Sequence, residues 1–362
     1  MEEPSPRVLL LLLTALLLVP LAGARTSARG SDDSESLAAL RQRLRAARQG
    51  VVRIQWRARG RPGHIVERHA IVVEQAGWLV LAGPPPAPSG TLAATLADGR
   101  SMRAKVWGRD ARTGLTLLRV PVASLEPLPL RKVEEGPPDT AAPDRLPPGL
   151  RVTMLTAEGS VTRGVLRANL RTRWVGTPGT PEAAEVSGLD EAALSVVPTD
   201  LGAPWLDDEG RVVGLLVGAD VAPPQIPRTE DGDDLHFRPE VVAAYAVPSS
   251  VIRTVWPLLR DHREVPRAAL GIKTRPLDPV LAGHLCSDCG GRVVVDVAPG
   301  GPADRAGVKP KDLVRRVDGR PMAPRATLSD LLLPHRPGER IRLGLLRAGK
   351  PLEVPVVLGL GR

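Results

Sequence analysis

Between Val51 and Val217 the chain is cut into short apolar runs by turn residues, and this spacing restricts the fold more than any other feature of it. One set of runs comprises Val51 to Trp56, Ala70 to Val73, Trp78 to Leu81, Arg103 to Val106 and Thr116 to Val120, with Ala76-Gly77 and Asp98-Gly99 as turns. A second set, Arg151 to Leu155, Gly164 to Leu170, Leu194 to Val197 and Val212 to Val217, follows a proline-rich crossing at Glu134 to Pro148. Short apolar runs bounded by Gly, Pro and Asp read as strands, and many of them at regular spacing point to a barrel or sandwich. Two such sets predict a double β-barrel. The polar, proline-bearing segments Arg171 to Gly188 and Ala222 to Pro239 are expected to be loops.

The flanks read differently. At the N-terminus, Met1 to Arg7 leads into an apolar run from Val8 to Leu21 and then Ala22-Gly23-Ala24. The run is too short to span a bilayer comfortably, and its small-x-small ending matches a signal-peptidase site. Residues 1–24 are therefore expected to be a signal peptide, and the protein exported to a periplasmic or other extracytoplasmic compartment. Cleavage would leave no stable membrane span, whereas an uncleaved run would anchor the chain. After a small, polar linker, Ser31 to Arg48 places Leu37, Leu40, Leu44 and Ala47 at helical spacing, acidic at its start and basic at its end. Residues 25–50 are thus linker plus helix. The net charge of +9 comes from singly scattered arginines, and one Phe, one Tyr and six Trp supply few stacking surfaces. That pattern decorates a solvated surface, so no nucleic-acid partner is expected.

Chemistry enters at Val196-Val197-Pro198-Thr199-Asp200-Leu201-Gly202-Ala203-Pro204-Trp205-Leu206-Asp207-Asp208-Glu209-Gly210-Arg211-Val212-Val213-Gly214. The stretch resembles, without a gap, the I-N-P-G-N-S-G-G-P-L-L-D-x-x-G-x-V-V-G of HtrA-like serine proteases, which are trypsin-like enzymes. Leu201 stands in the nucleophile's place, and a leucine offers only carbon where acyl transfer needs a hydroxyl or thiol. Gly202 is kept, but Thr199 and Ala203 replace glycines of a turn whose N–H groups stabilise the oxyanion, at about 2.7–4 kcal/mol per donor.

The resemblance covers roughly residues 35 to 360 and extends to the other triad positions. Gly77-Trp78-Leu79-Val80-Leu81-Ala82-Gly83-Pro84 matches the family's G-Y-I-L-T-N-A-H and puts Pro84 at the general base. Asp110-Ala111-Arg112-Thr113-Gly114-Leu115-Thr116-Leu117-Leu118-Arg119-Val120 matches D-x-x-T-D-L-A-L-L-R-V and puts Gly114 at the acid. His64, His69, Asp110 and Asp200 are the residues from which a relocated site would be built. They are expected instead to be solvated surface groups. The resemblance therefore implies a catalytically degenerate member, the alternative being an active endopeptidase with a relocated site.

A second module follows. Pro248-Ser249-Ser250 opens a helix through Val251, Val255, Leu258 and Leu259, similar to the family's closing helix, which ends the first domain at residue 260. Residues 261–267 are expected to be a linker. From Ala268, Ala269-Leu270-Gly271-Ile272 resembles the carboxylate-binding loop of a PDZ domain, and Gly291 to Val308 and Lys311 to Pro321 extend the match. An α+β PDZ domain over 268–362 is implied. It would take an extended peptide as a strand beside Leu270, Gly271 and Ile272, with a cleft wall from the helix Thr327 to Leu333 through Leu328, Leu331 and Leu332. Cys286 and Cys289, after His284, most simply form a local disulfide in an oxidising compartment; free or redox-active thiols and a metal site stay open.

The sequence thus predicts a mostly β protein, a trypsin-like double β-barrel followed by a PDZ domain. It is expected to be an exported non-enzyme without a cofactor, binding peptides or chain ends of envelope proteins as an adaptor, a chaperone-like holder or a protease regulator. A homo-oligomer or an active protease is a further partner the resemblance implies. A scaffold with a degenerate groove is the remaining alternative.

Overall fold

Strand alternation sorts the side chains of the first barrel into two separate cores. In β1 (Val51–Arg57), Val52 and Ile54 join the barrel interior, while Val51 points to the opposite side. β2 (Ile65–Glu74) and β3 (Trp78–Ala82) repeat this, with Ala70, Val72, Leu79 and Leu81 inside and Ile71, Val80 and Ala82 facing out. β4 (Leu92–Thr95), β5 (Ser101–Asp110) and β6 (Leu115–Arg119) close the barrel in the order β1-β2-β3-β6-β5-β4. The computed structural model describes residues 29–57, 65–83, 92–132, 146–175, 184–221, 241–277, 290–322 and 326–361.

The second barrel uses the same device. β7 (Arg151–Leu155), β8 (Val161–Val175), β9 (Ala184–Ala193), β10 (Pro204–Leu206), β11 (Val212–Val221) and β12 (Val241–Pro248) close in the order β10-β11-β12-β9-β8-β7. Its interior holds Val152, Met154, Leu166, Trp205, Val213 and Leu216. The alternate residues Leu206, Val212, Leu215, Val217, Tyr245 and Val247 point outward and meet the outward residues of the first barrel in one shared core. Period-two alternation therefore builds three packed layers from strands buried on both faces.

Helix α1 (Arg29–Arg48) carries Arg45 and Arg48 in its last turn, and Leu44 and Ala47 pack into the shared core. α2 (Ser249–His262) adds Ile252, Val255 and Leu259, spaced for one helical face. Its C-terminus is capped by Arg263 in the left-handed conformation (φ 64°), whose N–H donates to the Leu259 carbonyl at 2.9 Å. Trp107 donates to the Arg260 carbonyl at 2.9 Å and lies under the Arg263 guanidinium, which fixes α2 to β5. Among the described residues no helix is long and apolar enough to cross a membrane. The expected signal segment, residues 1–24, lies outside the described residues.

Three expectations change. The segment Arg171 to Gly188 is not all loop, because β8 runs on to Val175 and β9 begins at Ala184. This ribbon is held by backbone pairing and by polar contacts rather than apolar alternation: Arg171 pairs with Glu191, and Arg173 donates to the Tyr245 hydroxyl at 2.7 Å. Leu194 to Val197 is not a strand, since pairing ends at Ala193 and the Val197 N–H is taken by the Asp200 carboxylate at 2.8 Å. The linker expected from residue 261 begins later, because α2 continues to His262.

The last module has its own core of Leu270, Val294, Val314, Ile341, Leu343 and Val356. Its sheet runs β14 (Ile272–Pro276), β15 (Arg292–Val297), β16 (Leu313–Val317), β18 (Arg340–Arg347), β19 (Lys350–Val357), with β17 (Arg320–Pro321) on β16. β13 (Ala268–Ala269) pairs with β20 (Gly359–Leu360), which ties the module's two ends together. The short helices α3 (Pro302–Arg305) and α4 (Leu328–Leu332) complete it. Trp205 is 1 % exposed inside the second barrel. Trp205→Ala is expected to cost about 3–5 kcal/mol, measured as a lowered denaturation midpoint in urea.

Candidate functional site

Leu201 sits at the end of a 3₁₀ turn (Pro198–Asp200) and packs, half-buried, against the interior of the second barrel. The turn is closed by its own groups. Asp200 N–H donates to the Val197 carbonyl at 2.9 Å, while the Asp200 carboxylate takes the Val197 N–H. Gly202 N–H donates to the Leu216 carbonyl at 2.8 Å and Ala203 N–H to the Asp200 carbonyl at 2.9 Å. An oxyanion needs N–H groups aimed at an open point. Here the N–H groups of Gly202 and Ala203 are both taken by neighbouring carbonyls.

The first barrel holds this turn from below. His69 N–H donates to the Leu201 carbonyl at 2.9 Å, and Arg68 reaches the Pro198 carbonyl at 3.3 Å. Gly202 adopts φ +87°, and a Cβ there would lie 1.9 Å from the His69 carbonyl oxygen, so the close approach admits glycine alone. The two barrels therefore meet backbone to backbone at Leu201-Gly202.

His69 is only 1 % exposed, which corrects its reading as a solvated surface group. Its Nδ1 accepts from Ala157 N–H at 3.4 Å, which leaves the proton on Nε2, 3.8 Å from the Glu158 carboxylate. Burial pushes the imidazole below its ordinary range, against the opposing pull of Glu158, Asp200 and Glu67, and Arg53 lowers it further. Asp110 is corrected likewise. It is buried, pairs with Arg267, and accepts from the Thr113 hydroxyl at 2.6 Å. Both groups have structural partners. His64 and Pro84 lie outside the described residues.

Gly114 closes the turn between β5 and β6 at φ +69°, and its carbonyl accepts from Gly83 N–H at 2.9 Å. A Cβ there would meet only Val186 at 3.5 Å, but the left-handed backbone strains any residue other than glycine. Nearby, a cavity of about 540 Å³ opens between the second barrel, α2 and α4, with Arg112, Glu185, Asp190, Arg267 and Asp330 on its walls. Ser187 donates to Asp330 across it at 3.3 Å. No sequence motif pointed to this cavity, because its walls come from separate segments that only tertiary packing brings together.

In the last module, β14 is the edge of its sheet among the described residues, with β15 on one side and no described strand on the other. The loop before it, Leu270-Gly271, turns at φ +74°. Both of its carbonyls are occupied: that of Leu270 accepts from Ala303 N–H at 2.9 Å and that of Gly271 from Ala298 N–H at 2.8 Å. The leucines of α4 divide, since Leu328 and Leu332 are buried in the core while Leu331, like Ile272 of β14, packs against that core and keeps partial exposure. Thr327 caps α4 by accepting from Asp330 N–H at 3.2 Å. Cys286 and Cys289 lie outside the described residues, as does His284.

Comparison with known proteins gives two family matches in order along the chain. Residues 63–215 match a trypsin-like peptidase domain and residues 268–358 a PDZ domain. Over most of its length the chain also aligns with DegP-like proteins. Its trypsin-like peptidase domain followed by a PDZ domain is the arrangement of HtrA-type proteases, which it resembles in sequence and fold. It is 25% identical over 291 residues to a protein of Chlamydia trachomatis named probable periplasmic serine endoprotease DegP-like, covering 79% of this chain and 52% of that one. A protein of the same name from Halomonas elongata is 26% identical over 309 residues, 83% of this chain and 58% of that one. The chain thus spans about half the length of the curated relatives it matches. Its fold matches a solved HtrA-type protease, AlgW with a tripeptide, at a TM-score of 0.63 and 20% identity, over 89% of this chain and 97% of that one.

Two measurements test this HtrA geometry. Gly202→Ala is expected to destabilise by more than about 1 kcal/mol, through the positive φ and the His69 carbonyl together, and to lower the thermal midpoint. His69 binds its proton less readily folded than unfolded, so the stability it contributes is full above its unfolded value of about 6.5 and declines as pH falls toward the folded value. Urea titrations from pH 7.5 down to about 4.5 are expected to show that decline, and His69→Gln to flatten it.

Proposed function

We propose that this HtrA-family chain is catalytically inert and acts by binding extended peptides or chain ends in an exported compartment, as an adaptor, a holder of unfolded chains or a regulator of an active protease. The observation that carries the reading is Leu201 at the nucleophile's place in a turn whose Gly202 and Ala203 N–H groups are already bonded. Gly114 at the acid's place adds to it, and the buried pairing of His69 and Asp110 argues against a relocated triad. Removing nucleophile, base and acid together leaves no proton path for acyl transfer. The periplasmic naming of the relatives supports export, as does the apolar run from Val8 to Leu21. The edge strand β14 and the loop before it support peptide addition as the retained activity.

The test is labelling with a serine-directed fluorophosphonate probe together with hydrolysis of an unfolded protein substrate. The purified chain is expected to take no label and cleave nothing. Leu201→Ser is expected to remain inactive, because a lone hydroxyl without base or acid is a weak nucleophile at neutral pH. Saturable labelling of one serine in the unaltered barrels, with turnover, would favour the active endopeptidase with a relocated site and sink the proposal.

A further inference from the structure

The charge of the chain is not evenly shared. Residues 268–362 carry sixteen Lys or Arg against nine Asp or Glu, which accounts for most of the net +9. Two of these cations, Lys273 and Arg275, lie on β14, the open edge. Both are exposed, whereas Ile272 and Thr274, the alternate residues, are partly covered, as alternation along a strand requires. Lys273 has a side chain 83% exposed and meets Asp296 at 3.6 Å, an ion pair held loosely by two solvated groups. Arg275 makes no hydrogen bond or ion pair among the described residues, and its neighbour across the sheet is Val293.

The direction of an added strand follows from the loop. A chain end whose carboxylate meets Leu270-Gly271 must run back along β14 toward Pro276, and so lies antiparallel to it. In an antiparallel pair, residues directly opposite share a face. The last residue lies opposite Ile272 and the third from last opposite Thr274, on the inner, partly covered side. The second from last lies opposite Lys273 and the fourth from last opposite Arg275, on the outer side. Arg292, on the inner face, is already engaged with Thr274, donating to its hydroxyl at 3.3 Å.

We propose that this edge strand selects acidic chain ends: an apolar last residue, with Asp or Glu at the second and fourth positions from the terminus, facing Lys273 and Arg275. The inference rests on the peptide-groove reading above and adds to it the chemistry of the partner. Among the described residues the outer face of β14 carries two cations and one paired carboxylate, Asp296, so acidic side chains gain there and basic ones lose.

The experiment uses the full chain and fluorescence anisotropy with short dye-labelled peptides that share an apolar last residue and carry Glu, Ala or Lys at the two outer positions. The glutamate peptide is expected to bind about three- to tenfold more tightly than the alanine peptide, and the lysine peptide more weakly than either. The difference should shrink as salt rises from about 0.1 M to about 1 M, where screening shortens to about 3 Å. Arg275→Glu is expected to narrow the gap between the glutamate and lysine peptides several-fold, and Arg275→Glu combined with Lys273→Glu to invert it. Equal binding of the three peptides, with the apolar last residue still required, would overturn the charge selectivity and leave the groove reading standing. A charge preference that Arg275→Glu and Lys273→Glu leave untouched would place it elsewhere on the module and also overturn the proposal. Binding of none of the peptides would remove the groove reading itself.

Discussion

The core shared by the two barrels is the constraint on which the rest depends. Val51, Ile71, Val80 and Leu117 from the first barrel and Val212, Leu215, Val217 and Val247 from the second turn outward and bury one another, and α2 closes the layer with Ile252, Val255 and Leu259. Neither barrel can stand apart without exposing this face to water, because burial of apolar area is the dominant favourable term in folding. The backbone contact at Leu201-Gly202 and His69 is a consequence. It lies where the two sheets are pressed together, and the absent side chain of Gly202 is what lets them approach.

That approach explains how the turn keeps its frame with a leucine at position 201. The turn from Val197 to Ala203 bonds to itself through Asp200 and to the first barrel through His69 and Arg68, none of which requires a catalytic group. A protease site is held in shape by the same packing whether or not it carries a nucleophile. The identity of the residue at position 201 therefore matters little to the frame, whereas a side chain at Gly202 would collide with the His69 carbonyl. The linker obeys the same logic, with Arg267 and Asp110 joining it to the first barrel.

Much of the fold was legible because apolar alternation and turn residues mark strands locally, as at β3 and β7. The ribbon of β8 and β9 was not, since its outer half is polar and is held by Arg171, Arg173 and their partners, which lie far apart in the chain. Leu194 to Val197 looked like a strand for the converse reason: its residues are apolar, yet Asp200 diverts the backbone. At the candidate site, residue identity placed Leu201 and Gly114, while the burial of His69 and Asp110 was hidden, because charge and polarity argue for the surface unless a partner is known.

The sequence alone determined which atoms are present: no hydroxyl at position 201, no carboxylate at 114, and a run of strands that must close on themselves. Those are local matters of side-chain chemistry and periodicity. Only the tertiary structure decided that Gly202 and Ala203 N–H groups are bonded inward, that His69 is buried beneath Leu201, and that β14 has an open edge flanked by Lys273 and Arg275. Each of these depends on segments distant in the chain being packed together, and strand alternation does not say which strand will be left at the edge of a sheet.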